Sequence, residues 1–459
     1  FSPWLELQLD EFSISSYLSG FGGPTKGFTF YRDVRSVTPG DFIRVDKNGS
    51  ARYQAYFRMT DFWDEAAIDE LNALKPVQMV DRMEELLYNS VEQHMFADSP
   101  VGAFCSGGVD SSLLMAMAAK MHNNLAIFHS NVTGKWSEHD AALQLSKHLK
   151  LDLKTVDVSD QDFVDQIPNV MEHYEHPFTY HPNCAPFLMV SRLVEEHGVK
   201  GMLSGEGSDE CFLGYPWLGR KKITDAYYGM GLRLRKLVHR IPNIGKIIWP
   251  YAGNSQSVLR DMMNRCETAD ETALTGIVAN QFPKGKISQG NRWTVDYLNY
   301  HLRTLLHRND CMGMAASIEA RFPFLDNKVV KTAANMPYRY KLRFSPVFEK
   351  AHPGIRDKWV VRKVADRYIP RSLSQRIKIG FWTTSSQRMQ VSPKYFDHSH
   401  VRDLFRLTAP QMQSIVERAD QDLTIRLLHL DVWQHVCVHR QSKESSLNKL
   451  RDHISVSPE

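Results

Sequence analysis

The stretch that most constrains the fold is SGGVDSS, residues 106–112, which stands where a short apolar run meets a helix-patterned segment. Strands that alternate with helices form parallel sheets with helices on both faces. Such apolar runs recur between helix-patterned segments, at 101–105, 125–128, 151–158 and 199–203. The sequence therefore predicts an α/β fold with a parallel, doubly wound sheet. After Tyr215 the pattern is largely helical.

Composition describes a globular chain. Its 459 residues, 42% of them hydrophobic, suffice for one large or two smaller domains. The 56 basic and 52 acidic residues nearly balance, which gives no electrostatic reason to expect a nucleic acid partner. We see neither an apolar run of about 18 residues nor a signal-peptide pattern. Six scattered cysteines without a CxxC pair fit reduced thiols, which favours a cytoplasmic location.

Two local patterns predict individual elements. Asn48-Gly49 lies between alternating apolar runs, which is a strong signal for a β-hairpin. From Pro76 to Met95 the apolar residues recur at three- and four-residue spacing, which predicts an amphipathic helix.

In SIEARFPFLD, apolar residues surround Glu319 and Arg321, and we expect these two side chains to form a buried ion pair.

The residues of SGGVDSS suit a phosphate. A turn into a helix presents free N–H groups and positive dipole to an anion at the carboxyl end of a strand. Gly107 and Gly108 allow close backbone approach, and Asp110 implies Mg²⁺ between the protein and the phosphate. Three serines add hydroxyl groups: Ser106, Ser111 and Ser112. The alternative is that Ser and Asp only cap the helix.

This loop resembles the signature of the PP-loop ATP pyrophosphatases, which cleave ATP between its α- and β-phosphates. Later blocks narrow the resemblance to the asparagine synthetases. These blocks are SGEGSDE at 204–210 with Gly214-Tyr215, SIEARFPFLDNKVV at 317–330, and KWVVRKVADRYIPRSLSQRIKIGF at 358–381. The similarity extends over about residues 1–385.

The resemblance implies a synthetase that uses ATP and Mg²⁺. It would adenylate a carboxylate, by default aspartate, and transfer ammonia or an amine to it, releasing AMP and pyrophosphate. Asp110 and Asp209 are the implied Mg²⁺ ligands. Glu175, in HYEHPF, would accept a proton from the attacking amine, and Lys378, in RIKIGF, would stabilise the departing pyrophosphate. The implied nucleotide-binding residues are Ser106, Gly107, Gly108, Asp110, Ser111, Ser112, Ser204 and Gly205.

Glutamine-using members of that family begin with a catalytic cysteine in a separate glutaminase domain. This sequence begins at Phe1, and its first cysteine is Cys105. We therefore expect residues 1–70 to be the junction that follows a glutaminase domain, and residues 71–459 to be the synthetase domain. The expected partners are a small carboxylate, an ammonia or amine donor and a glutaminase domain or subunit outside this chain. We expect no membrane or nucleic acid partner, and leave a homodimer open.

Cys311 departs from the family pattern, which usually has arginine or lysine there, so the acceptor carboxylate stays open. Relatives with this domain also close lasso-peptide and β-lactam rings or amidate polysaccharides. Two other classes remain: a nucleotide-binding relative without turnover, and a tRNA-modifying PP-loop enzyme.

Two further patterns have alternative interpretations. HYEHPFTYHPNC offers potential zinc ligands, but their spacing matches no common zinc module and its prolines favour an extended loop. The ligands would be His173, His176, His181 and Cys184. The basic segment 220–246 fits a solvated helix face better than a binding surface.

Overall fold

The computed structural model describes residues 8–458 apart from 20–26, 123, 135–136, 179–182, 216–257, 259–261, 263–286, 349–352, 378–384 and 386–387. The described helices are α1 (Glu11–Leu18), α2 (Glu65–Ala73), α3 (Pro76–Met95), α4 (Val109–Met121), α5 (His139–Leu149), α6 (Asp160–Asp165), α7 (Ile167–Tyr174), α8 (Cys184–Glu196), α9 (Ser208–Phe212), α10 (Gln289–Asp296), α11 (Leu302–Met314), α12 (Asn327–Asn335), α13 (Trp359–Ala365), α14 (Arg371–Ser374), α15 (His400–Leu404), α16 (Ala409–Arg418), α17 (Gln421–Trp433) and α18 (Lys443–His453).

The described strands are β1 (Asp41–Val45), β2 (Ala51–Ala55), β3 (Val101–Phe104), β4 (Ala126–Val132), β5 (Leu153–Val158), β6 (Gly201–Leu203), β7 (Glu319–Arg321), β8 (Arg343–Phe348), β9 (Pro353–Arg356), β10 (Met389–Val391) and β11 (Ile454–Val456). Five of them form a parallel sheet in the order β5-β4-β3-β6-β7. The other six form antiparallel pairs, β1 with β2, β8 with β9 and β10 with β11. The predicted parallel α/β fold is confirmed.

Alternate residues of the central strands face opposite layers of helices. Ala103 and Ile127 belong to a core that includes the buried residues of α4. Phe104 and Phe128 pack on the other face, in a core with Val190 of α8. Because a strand turns successive side chains to opposite faces, both layers bury apolar surface against one sheet. This is the doubly wound arrangement that the sequence predicts.

The register of the sheet brings two loops side by side. Ala103 of β3 lies opposite Leu203 of β6 in the parallel pairing. The chain therefore leaves both strands at the same edge and at almost the same level. Residues 106–112 follow one strand, and residues 204–210 follow the other. In open α/β sheets, this carboxyl edge is where ligands bind.

The edge strand β7 was not predicted, and one expectation about it is wrong. Glu319 and Arg321 do form an ion pair of 3.0 Å, but the Glu319 side chain is 67% exposed, so the pair is not buried. Arg321 Nη1 instead donates to the carbonyl oxygens of His94 and Phe96, at 2.8 and 2.9 Å. Arg321 therefore ties the sheet edge to the end of α3.

The part after the sheet is largely helical, as predicted. Trp433, at the end of α17, is completely buried, and its indole N–H donates to the carbonyl oxygen of Glu175 at 2.9 Å. This bond joins the C-terminal helices to the end of α7. Across the residues that can be described, we find no helix with both the length and the apolar character needed to cross a bilayer.

A buried ion pair fixes the chain around α13. Asp357 and Arg362 are each about 1% exposed, and both carboxylate oxygens of Asp357 accept from Arg362 Nη2, at 3.1 and 3.0 Å. Arg362 Nη1 also donates to the carbonyl oxygens of Ser374 and Arg376, at 3.0 and 2.7 Å. One guanidinium therefore holds three points of the segment from 357 to 376.

Replacing Asp357 with alanine should lower the free energy of unfolding by about 3–5 kcal/mol, because Arg362 would stay buried without its counter-ion. Equilibrium urea denaturation measures the loss. The control is Asp152→Ala, which removes an ion pair with Lys154 from a residue that is 84% exposed and should change stability little. Similar effects of the two substitutions would contradict the role given to Asp357.

Candidate functional site

The loop after β3 folds as a tight turn into α4. Gly107 has φ +72°, and a Cβ there would lie 2.9 Å from the carbonyl oxygen of Glu138, so a side chain would meet both strain and a clash. The hydroxyls of Ser106 and Ser111 are hydrogen-bonded at 2.8 Å. Ser106, Gly108 and Asp110 are partly exposed. The loop therefore offers backbone N–H groups and hydroxyls at a helix N-terminus, as a phosphate site requires.

Ser112 differs from the other serines of the loop. Its side chain is completely buried in α4, and its hydroxyl has no hydrogen-bond partner among the described residues. The structure therefore places Ser112 beneath the loop rather than on its exposed side.

The second loop touches the first through a glycine. A Cβ on Gly205 would lie 2.9 Å from the backbone nitrogen of Ser111 and 3.1 Å from the Asp110 Cβ. Ser204, just before it, is buried, and its N–H donates to the carbonyl oxygen of Arg321 at 2.8 Å. Gly205 thus allows the loop after β6 to pack directly against the start of α4.

The two loops are joined by a lysine from α13's N-terminus. Lys358 Nζ lies 2.5 Å from Asp110 Oδ2 and 2.7 Å from Asp209 Oδ1. Ser208 Oγ donates to the other oxygen of Asp110 at 2.6 Å. Lys358 has no exposed surface. Burial alone would lower its pKa, but the carboxylates of Asp110 and Asp209 outweigh burial and raise the pKa of Lys358 above its ordinary value.

A glycine makes room for this lysine. A Cβ on Gly214 would overlap both the Lys358 Cε and the Asp209 carboxylate. Lys358 itself has φ +46°, in the left-handed region that few lysines adopt. Its backbone is held by α13, because the Arg362 N–H donates to the Lys358 carbonyl oxygen at 2.9 Å. The position of the ammonium is therefore fixed from both ends of the side chain.

Asp110 and Asp209 fit the ligands that Mg²⁺ prefers when it is shared with a phosphate. One oxygen of each lies close to the same point, the Lys358 ammonium. Two carboxylates are typical of Mg²⁺ that takes its remaining ligands from phosphates and water. In the described part of the chain, no group of three or more His, Cys, Asp or Glu side chains could hold a metal. The pair therefore suits a metal that arrives with other ligands.

The segment after α13 reaches the loop as well. Arg376 Nη1 lies 2.9 Å from Glu138 Oε1 and donates to the carbonyl oxygen of Gly107 at 3.3 Å. Arg376 is itself positioned by the bond from Arg362 to its carbonyl oxygen. Lys378, for which the resemblance implies a position against the triphosphate, lies two residues further on and outside the described residues.

A carboxylate next to Gly205 has a buried partner. Arg308 Nη2 lies 2.5 Å from Glu206 Oε1, and Arg308 is 3% exposed. The same guanidinium donates to the side-chain oxygens of Asn183 and Asn309, at 2.9 and 2.8 Å. Glu206 therefore lies near the start of the second loop, and Arg308 holds one of its carboxylate oxygens in place.

Glu175 lies in a different environment from Glu206. It follows α7, has φ +61° and is exposed. Its neighbour Tyr174 contacts His307 of α11, and the Cys311 thiol lies 3.6 Å from His307 Nε2. The structure thus places Glu175 beside the α11 position at which the sequence departs from the family pattern.

Among the described residues of the segment 173–184, no group of side chains that could hold zinc is found. His176 stacks on His307, with ring centroids 4.6 Å apart, and burial lowers the pKa of His176 to about 3. The Cys184 thiol is buried, and burial raises its pKa to about 12. His181 lies outside the described residues, as does the basic segment 220–246.

Sequence reasoning missed four residues of this site. Lys358 and Arg376 stand inside a quoted block, and Glu206 stands inside SGEGSDE, so their positions could have been noted. Arg308 precedes Cys311 by three residues, and no feature of the sequence around it distinguishes it from other arginines. What the sequence does not show is that Arg308 and Lys358 are buried, each in contact with a carboxylate of the loop after β6.

Comparison with known proteins identifies relatives of the chain. The family model for asparagine synthase matches residues 82–434. Asparagine synthetase [glutamine-hydrolyzing] 1 of Bacillus subtilis is 26% identical over 406 residues, which are 82% of this chain and 59% of the relative. A putative asparagine synthetase [glutamine-hydrolyzing] of Mycobacterium bovis is 27% identical over 387 residues, 77% of this chain and 55% of the relative.

A further relative, the amidase chyE of Penicillium rubens, is 22% identical over 400 residues, which are 74% of this chain and 57% of the relative. The chain therefore spans between 55% and 59% of the length of these curated relatives.

A second buried lysine lies near the site. Lys341 has no exposed surface, and its ammonium donates to Thr294 Oγ1 at 2.6 Å. Thr294 in turn donates to the carbonyl oxygen of Gly290 at 3.2 Å. Burial lowers the pKa of Lys341 from 10.5 to about 7, because a neutral hydroxyl compensates a buried charge less than a carboxylate does.

Lys341→Met should remove a pH dependence of stability. Between about pH 7 and 10.5 the unfolded chain binds the proton that folded Lys341 releases, so stability should rise with pH across that window. The expected slope is roughly 1 kcal/mol per pH unit, and below pH 7 this contribution is constant. Urea denaturation at several pH values measures it. Lys47→Met, at an exposed position, should retain the slope, and a slope that persists in Lys341→Met would contradict the assignment.

Proposed function

The chain belongs to the asparagine synthase family, and on that premise we propose that it is an ATP-dependent synthetase that forms an amide. It adenylates a carboxylate and transfers ammonia or an amine to the adenylate, with release of AMP and pyrophosphate. The observation that carries the proposal is the junction of two loops at one sheet edge. Asp110 of the first and Asp209 of the second share the Lys358 ammonium.

In the first proposed step, a carboxylate oxygen attacks the α-phosphorus of ATP, and the bond to the β-phosphate bridging oxygen breaks. The N-terminus of α4 supports this proposal, because Gly107 and Gly108 allow backbone N–H groups to approach phosphate oxygens. We assign the nucleotide contacts to Ser106, Gly107, Gly108, Asp110, Ser111, Ser112, Ser204 and Gly205. Ser112 and Ser204 are both buried, so each would contribute from below the exposed surface of its loop.

Charge stabilisation in that step is assigned to two groups. Mg²⁺, when bound at Asp110 and Asp209, supplies positive charge to the phosphates. Lys378 would face the departing pyrophosphate. The position of Arg376 beside Gly107 supports this assignment, because only one residue separates Arg376 from Lys378 along the chain. Fixed positive charge aimed at a leaving group is commonly the largest contribution to catalysis.

In the second proposed step, the amine attacks the acyl carbon, AMP departs, and the amine loses a proton. Two carboxylates are candidates to accept it. The sequence resemblance implies Glu175 for this role. Glu206 is favoured by geometry, because it follows Gly205 directly and Arg308 holds one of its oxygens in place.

The acceptor is proposed to be aspartate, which would give asparagine and place the enzyme in asparagine biosynthesis. The runner-up is a related amide or lactam synthetase with another carboxylate, including lasso-peptide, β-lactam and polysaccharide acceptors. Position 311 supports the runner-up. The family usually has a cation there, whereas this chain has the thiol of Cys311 beside His307. The matched amidase also shows that relatives carry names other than asparagine synthetase.

We further propose that residues 1–70 form the junction to a glutaminase domain or subunit that supplies ammonia, and that residues 71–459 form the synthetase domain. The names of the glutamine-hydrolysing relatives, and the partial share of their length that this chain spans, support this proposal. A cytoplasmic location fits the five described cysteines, all of which are free thiols.

The proposal is tested by ATP–pyrophosphate exchange with a panel of carboxylates, aspartate first, followed by detection of the amide formed with ammonium. We expect exchange that depends on aspartate. Exchange with a different carboxylate would move the acceptor to the runner-up. Absence of exchange with the entire panel would favour a nucleotide-binding relative without turnover, whereas salt-sensitive binding of tRNA would favour a tRNA-modifying enzyme.

Replacing Glu206 with glutamine should separate the two steps. Pyrophosphate exchange should persist, because the residues assigned to the nucleotide are unchanged, while amide formation should fall by about 10²–10³-fold through loss of the proton acceptor. Glu175→Gln is the matched control, since it makes the same chemical change at the other candidate. If Glu175→Gln causes the selective loss and Glu206→Gln does not, the proton acceptor is Glu175.

A further inference from the structure

The Lys358 ammonium contacts both carboxylates that would hold the metal. It lies 2.5 Å from an oxygen of Asp110 and 2.7 Å from an oxygen of Asp209. The two carboxylates carry two negative charges, and the ammonium cancels one of them. A free divalent cation would therefore meet a group with a single net negative charge and a competing cation already in contact with both ligands.

The ammonium is not free to leave. Lys358 has no exposed surface, and its side chain packs against Gly214, where even a methyl group would overlap it. Its backbone is fixed in a left-handed conformation at the start of α13. Moving an ammonium away from both carboxylates without a replacement partner would leave a buried charge unpaired, which is costly.

From these contacts we infer that Lys358 is a positioning residue that holds Asp110 and Asp209 together and keeps them from binding a free divalent cation. The metal then binds only as its complex with the triphosphate, whose negative charge gives the ammonium a new partner. This inference rests on the proposed function. It adds that the metal and the nucleotide enter the site together, as one complex.

The experiment follows Mn²⁺, a spectroscopic substitute for Mg²⁺, by electron paramagnetic resonance. The native protein should show no specific Mn²⁺ site without nucleotide, and one site with a non-hydrolysable α,β-methylene analogue of ATP. Lys358→Met should bind one Mn²⁺ without any nucleotide, at concentrations about tenfold or more below those at which the native protein still shows no specific site, because the two carboxylates lose the ammonium that contacts both of them.

Thermal unfolding gives a second measurement. Lys358→Met should be destabilised, since the like charges of Asp110 and Asp209 are left side by side, and Mn²⁺ alone should restore its Tm in a concentration-dependent way. Lys341→Met is the matched control. It replaces another buried lysine by the same residue, but Lys341 is bonded to a hydroxyl, so Mn²⁺ should not change its Tm.

A double variant covers the case in which Lys358→Met does not fold. Lys358→Met combined with Asp209→Asn removes one positive and one negative charge, and it should fold without metal and bind no free Mn²⁺. The inference is overturned if the native protein binds free Mn²⁺ specifically, if Mn²⁺ leaves the Tm of Lys358→Met unchanged, or if it stabilises Lys341→Met equally. Failure of the native protein to bind Mn²⁺ with the nucleotide analogue would count against the proposed function instead.

Discussion

The site depends on one charge triad, in which the buried Lys358 ammonium contacts the buried Asp209 and the partly exposed Asp110. Each member comes from a different part of the chain. Asp110 follows β3, Asp209 follows β6, and Lys358 precedes α13. None of the three could be buried at low cost alone, because an unpaired charge in the interior loses its hydration without compensation. The triad therefore fixes the relative positions of both loops and of the C-terminal segment.

The surrounding contacts favour the same arrangement. Gly205 permits the loops to touch, Gly214 leaves room for the lysine side chain, and Arg362 holds the segment that carries Lys358 and Arg376. Gly205 is also one of the proposed nucleotide contacts, whereas Gly214 and Arg362 only shape the site. Together they determine where the proposed ligand-binding groups lie, which explains why a loop of seven residues needs support from three distant regions.

Much of the fold could be predicted because its signals are local. The helix at Pro76–Met95 and the hairpin around Asn48-Gly49 follow from spacing and turn chemistry within a few residues. The parallel sheet follows from the alternation of apolar runs with helix patterns.

By contrast, β7 has three residues and an exposed glutamate, so no periodicity marks it. Lys358 is one of 56 basic residues, and its burial depends on contacts that span more than half of the chain. Long-range contacts of this kind leave no pattern in a single sequence.

The separation of Lys358 from Asp110 along the chain, 248 residues, also bears on how the protein is made. During translation the amino-terminal strands leave the ribosome long before the lysine does, and the two carboxylates must wait for it. Contacts between such distant residues form late, since closing a long loop costs entropy before the contact repays it. A nascent or proteolytically shortened chain that ends before Lys358 contains all five strands of the parallel sheet, but it lacks the ammonium that contacts Asp110 and Asp209. The proposed nucleotide site can therefore be completed only after synthesis of the chain has passed Lys358.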